Sequence, residues 1–114
     1  MKVPNLEQAV IPEKKLTAYL LDLHHPVGGG KAKFFLRQGF APQDWLELAE
    51  KLTKHLCENE VSKIEKNPHG TKYIVDGLFE KPDGASLNLR TAWFIKTNES
   101  VPVFVTAYPL PSKL

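Results

Sequence analysis

The sequence predicts an α+β fold: three N-terminal helices packed on one face of a C-terminal four-stranded antiparallel meander sheet. Apolar residues recur at helical spacing up to Glu58 and alternate in twos from Glu60 onward. The alternating half is cut by three short clusters, Pro68-His69-Gly70, Pro82-Asp83-Gly84 and Asn98-Glu99-Ser100, whose residues favour turns. Turns this short leave no room for a crossover, so successive strands must run antiparallel. A length of 114 residues, with 42% apolar and 25% charged, suits a single folded domain over 1–114 with one core.

The first helix is expected over Pro12–Leu23, with Leu16, Tyr19, Leu20 and Leu23 on one face and Pro12 in the first turn. The run from Pro26 to Gly30 should stop it, because a proline and three glycines resist helix continuation. A short helix over Lys31–Gln38 follows, closed by Gly39. A third runs from Pro42 to Glu58, with Trp45, Leu48, Leu52 and Leu56 as its apolar stripe and Asp44 near its positive end. The strands are expected at Val61–Asn67, Thr71–Phe79, Ala85–Lys96 and Val101–Tyr108.

Alternation assigns the faces. Leu87, Leu89, Thr91, Trp93 and Ile95 should face the helices, with Tyr73 and Val75 beside them and Val103, Val105 and Ala107 completing the set. That leaves Lys72, Ile74, Asp76, Asn88, Arg90, Ala92, Phe94, Phe104, Thr106 and Tyr108 on the other face. Trp45 and Trp93 are better explained as core than as stacking platforms.

Fifteen Lys and Arg against thirteen Asp and Glu give a net charge of +2. This mild basicity permits nucleic-acid binding without requiring it, since the lysines are spread along the chain. The lone Cys57 excludes an internal disulfide, and the N-terminus lacks the apolar stretch of a signal peptide. Both features point to a cytoplasmic protein, and no apolar run is long enough to span a bilayer.

The glycines before Lys31 invite a nucleotide-loop reading, which fails: His25 stands where the first glycine belongs, and Ala32 where Ser or Thr belongs. What survives is a generic anion site of backbone N–H groups and Lys31, set against a plain flexible connection. His24 and His25 adjoin this loop. They suit proton transfer near pH ~6.5, or equally serve as cations at a helix C-terminus. Arg90 and Lys72 read either as solvated charges or, with Thr106 and Tyr108, as a phosphate-binding surface. His55 and Cys57 do not share a helix face, so a zinc site is not expected. There is no His-Glu-x-x-His, no Gly-x-Ser-x-Gly and no acidic cluster suited to magnesium, and no cofactor is called for.

Nearly the whole chain resembles an uncharacterised family of small toxin-like bacterial domains. Its members stand alone, often beside a small partner gene, or end secreted polymorphic toxins. The blocks that carry the resemblance are His25-Pro26-Val27-Gly28 with Lys31-Ala32 and Phe34-Phe35, Gly39-Phe40, Trp45, and Gly70-Thr71-Lys72-Tyr73. Arg90-Thr91-Ala92-Trp93 and Val105-Thr106-Ala107-Tyr108-Pro109 complete them. Gly29-Gly30 replaces the charged or polar residue the family carries after Gly28. The order of helices, sheet and terminal Thr-x-Tyr-Pro is also similar to the barnase-, RelE- and colicin-like ribonucleases. That resemblance implies metal-independent RNA cleavage, with RNA as substrate and a cognate antitoxin or immunity protein as partner. It implies His25 as base or acid, Arg90 with Lys31 on the phosphate, Tyr108 and Thr106 as positioning groups or a second acid, and Lys72 and His24 as further phosphate contacts. The competing expectation is a non-enzymatic module whose exposed sheet face binds a protein or nucleic acid.

Overall fold

The computed structural model describes residues 1–26 and 29–111. Helix α1 (Glu13–Lys15) runs directly into a π-helical turn, Leu16–Leu20, and is followed by α2 (Gly29–Arg37) and α3 (Trp45–Glu58). Strands β1 (Val61–Asn67), β2 (Gly70–Glu80), β3 (Ser86–Lys96) and β4 (Val103–Pro109) come next. They form one antiparallel sheet in the order β1-β2-β3-β4, so the three-helix, four-strand architecture is as the sequence predicts.

Three helix boundaries differ from expectation: the third helix starts at Trp45, after a 3-10 turn over Pro42–Asp44, and the other two lie around the first loop. The first helix ends at Leu20 rather than Leu23, through a wide i→i+5 bond in which Leu21 N–H donates to the Leu16 carbonyl at 2.7 Å. Leu23 is consequently 53% exposed instead of lying on the apolar face. The second helix begins two residues early, at Gly29, whose N–H donates to the His25 carbonyl at 3.0 Å. A Cβ at Gly29 would stand 2.8 Å from the Leu23 carbonyl oxygen, so glycine lets the helix start against the preceding loop. Val27 and Gly28, part of the glycine loop read from the sequence, lie outside the described residues.

The core sits between the helices and one sheet face. Leu16, Leu20, Phe35, Leu48, Leu52 and Leu56 pack against Val75, Phe79, Leu89, Trp93, Phe104 and Ala107. The expected inward set of β4 is corrected at one point. Ala92 pairs with Thr106 but Trp93 pairs with Phe104, so Val105 is the extra residue of a β-bulge. The bulge reverses the alternation, and Phe104 is fully buried against Trp93 with ring centroids 5.3 Å apart. Val103 and Val105 are only partly buried. Val10 hydrogen-bonds Pro102 and Phe104, covering part of the outer edge of β4. Among the described residues no helix is long and apolar enough to cross a membrane.

Candidate functional site

Strand register lays the face away from the core in three cross-strand rows. Asp76, Arg90 and Tyr108 form the first, Ile74, Ala92 and Thr106 the second, and Lys72, Phe94 and Val103 the third. Side chains two apart on a strand share a face, so successive rows stand ~7 Å apart. The bulge at Val105 preserves Thr106 and Tyr108 on this face while turning Phe104 into the core.

Arg90 is anchored in the first row. Its Nε–H donates to Asp76 Oδ1 at 2.7 Å and its Nη2–H to Asp76 Oδ2 at 2.8 Å. Asp76 and then the hydrogen-bonding Tyr108 phenol raise the guanidinium further above its usual range. The same bond holds the Asp76 carboxyl below its ordinary value against the opposing effect of burial. A guanidinium has five N–H donors, so this pairing leaves some directed elsewhere while fixing the plane of the group.

The helices bring a second group to the same end of the face. Lys31, in the first turns of α2, donates to the Tyr19 phenol oxygen at 2.7 Å. Tyr19 shares a 3.1 Å hydrogen bond with the Thr106 hydroxyl. The Lys31 ammonium also lies 5.3 Å from the Tyr19 ring centroid and 5.8 Å from that of Tyr108. Lys15 sits 5.5 Å from the Tyr19 ring, and the His25 ring meets it edge-on at 5.0 Å. Burial alone would raise the Tyr19 pKa. The bonds from Lys31 and Thr106 and the charges of Lys31 and Lys15 outweigh it, and the net shift is downward.

Five of the residues named from sequence therefore gather in one place: His25, Lys31, Arg90, Thr106 and Tyr108. Lys72 is on the same face but in the third row, paired with Glu65 at 3.3 Å. His24 is exposed, and its backbone N–H bonds the Asp22 carboxylate. Sequence reasoning missed two members. Tyr19 has the spacing of an apolar-face helix residue, yet its hydroxyl joins α2 to β4. Asp76 lies on the face that alternation predicts, and strand register makes it the partner of Arg90. A tyrosine on a buried face carries a hydroxyl in need of a partner, and that signal could have found the first. Among the described residues no three His, Cys, Asp or Glu side chains are grouped to hold a metal.

Residues 2–111 match the family model described as a domain of unknown function, DUF6883, and the chain belongs to that family. No curated protein matches the chain. Among solved structures it is similar to a chain of the contact-dependent growth inhibition toxin–immunity protein complex from Klebsiella pneumoniae 342. The TM-score is 0.69 at 20% identity, over 94% of this chain and 97% of the other. At that identity the likeness establishes a shared fold.

Proposed function

We propose that this protein is an endoribonuclease of toxin type that cleaves RNA by general acid–base catalysis without a metal ion, and that a cognate antitoxin or immunity protein neutralises it. The observation that carries the reading is the convergence of two cations, two phenols, a hydroxyl and an imidazole at one end of the sheet face turned away from the core. The shared fold with a chain from a toxin–immunity protein complex supports a toxin–immunity setting for the reading.

In the reaction the substrate 2′-oxygen attacks the adjacent phosphorus as a base takes its proton. The P–O5′ bond breaks, and an acid protonates the departing 5′-oxygen, leaving a 2′,3′-cyclic phosphate and a 5′-hydroxyl. Arg90 and Lys31 supply positive charge to the phosphorane oxygens, with Arg90 preorganised by Asp76. His25 serves as base or acid. Tyr108 and Thr106 position the phosphate, and Tyr19, its phenol acidified by Lys31, is the second proton-transfer group. Lys72, two rows away, meets a neighbouring phosphate rather than the scissile one.

Inducible expression in a bacterial host, comparing wild type with Arg90→Ala, tests this reading. Growth arrest with fragmented RNA in the wild type alone is the expected result. Healthy growth and intact RNA in both would assign the open face to a binding module instead.

A further inference from the structure

Beyond the first row, the open face continues into a groove of about 560 Å³ lined by Phe94, Val101, Val103 and Val105 with Lys15, Lys72 and Lys96 around them. Of the groups named in the proposed cleavage chemistry only Lys72, assigned to a neighbouring phosphate, lines it. Phe94 is half-buried and lies over the backbone of Gly70: a Cβ there would stand 2.7 Å from its ring. The far end of the ring, Cζ and Cε2, thus fills the space a side chain at Gly70 would take, and the ring contributes to the groove wall. Lys15 belongs to both places, lining the groove and sitting over the Tyr19 ring, so groove and cleavage site form one continuous surface. Arg90 and Phe94 are four residues apart on β3, a separation of ~13 Å along the strand.

We propose that this groove is a subsite for the base of an unpaired nucleotide next to the cleaved one, with the base stacked on Phe94 and its flanking phosphates met by Lys15, Lys72 and Lys96. The inference rests on the ribonuclease reading and deepens it by naming the substrate as single-stranded or unstacked RNA. An aromatic ring in the wall, apolar neighbours and a rim of lysines suit a base with its phosphates. Glu65 and Glu99 also line the groove, so its net positive charge is small. Stacking on Phe94 therefore supplies more of the affinity here than charge.

The test is binding of a fluorescent 2′-O-methyl tetranucleotide, which cannot be cleaved through its 2′-oxygen, to wild type and to Phe94→Leu. Leucine keeps an apolar cover over Gly70 while removing the aromatic face, and retained circular dichroism shows that the variant folds. The expected result is about tenfold weaker binding by the variant. Equal binding by both proteins, or no binding by the wild type, overturns the subsite whatever the cleavage assay shows. Phe94-dependent binding by a wild type that cleaves no RNA leaves the subsite standing and removes the ribonuclease reading.

Discussion

Arg90 and Asp76 face each other across β3 and β2 as a two-point ion pair, both Nε–H and Nη2–H donating to the carboxylate at 2.7 and 2.8 Å. The pair is partly open to solvent, with side chains 34% and 24% exposed, so its worth to stability is small, about 1 kcal/mol or less. Its larger effect is to fix the direction of the guanidinium.

Asp76→Asn should therefore lower RNA cleavage by about 10- to 100-fold with little change in fold, because a misdirected cation stabilises a developing charge poorly. The stability term has a defined pH sign. The folded carboxyl is held below its unfolded value of about 3.9, so the contribution is present above that pH and is lost as pH falls through the folded value. Urea midpoints of wild type and Asp76→Asn should differ at about pH 7 and converge as pH falls through the folded value. A difference that grew in acid would contradict the pairing.

Tyr19 links three elements through one oxygen, accepting from Lys31 and bonding Thr106. Tyr19→Phe keeps the ring and should cost about 1 kcal/mol of stability while cutting cleavage far more than that small loss explains. Lys31→Gln replaces the ammonium with a neutral amide and removes its charge, so Tyr19 should titrate at higher pH in that variant. Tyrosinate absorbance read with Tyr19→Phe as the reference identifies the transition. An unchanged titration in Lys31→Gln would show that the ammonium does not govern this phenol.

Gly70 carries no side chain because Phe94 and the Ile95 carbonyl occupy the space beside it. Gly70→Ala should destabilise the domain by about 1–3 kcal/mol, since the methyl group must displace the ring or the strand. The double variant Gly70→Ala/Phe94→Leu should recover part of that loss, which thermal unfolding of the four proteins measures. Strict additivity would mean that ring and glycine do not interact.

Element order was legible because periodicity and turn chemistry are local properties. The candidate site was legible only by halves. Counting outward from the Pro82–Gly84 turn sets Glu80 opposite Ser86 and hence Asp76 opposite Arg90, so this partner was available to a register argument. The β4 register was not, because a bulge inserts one residue at a place where Val103, Phe104, Val105 and Ala107 are all apolar and either parity looks acceptable. Tyr19 was hidden for a different reason. A π-helical turn displaces the residues after Leu16 from regular α spacing, and no sequence period records where a helix widens.

His55 is buried at the centre of a polar chain the sequence does not announce. Its Nε2–H donates to the Leu89 carbonyl at 2.9 Å, and its Nδ1 lies 3.4 Å from the Thr91 hydroxyl, which accepts from the Trp93 indole N–H at 2.9 Å. Burial lowers the His55 pKa, opposed only in part by the Leu89 and Gly77 carbonyls, so the folded state favours the neutral ring. In the window between the folded value and the unfolded value of about 6.5, the unfolded chain binds the proton and the folded chain does not. Stability should then rise with pH through that window and level off above it. The slope between about pH 5.5 and about pH 7.5 should be shallower in His55→Gln, which cannot titrate. Thr91→Val should cost about 1–3 kcal/mol by leaving the Trp93 N–H without an acceptor in the core. Urea unfolding of the three proteins at both pH values checks each claim, and an equal slope with and without the imidazole would show that His55 does not set the acid sensitivity of the fold.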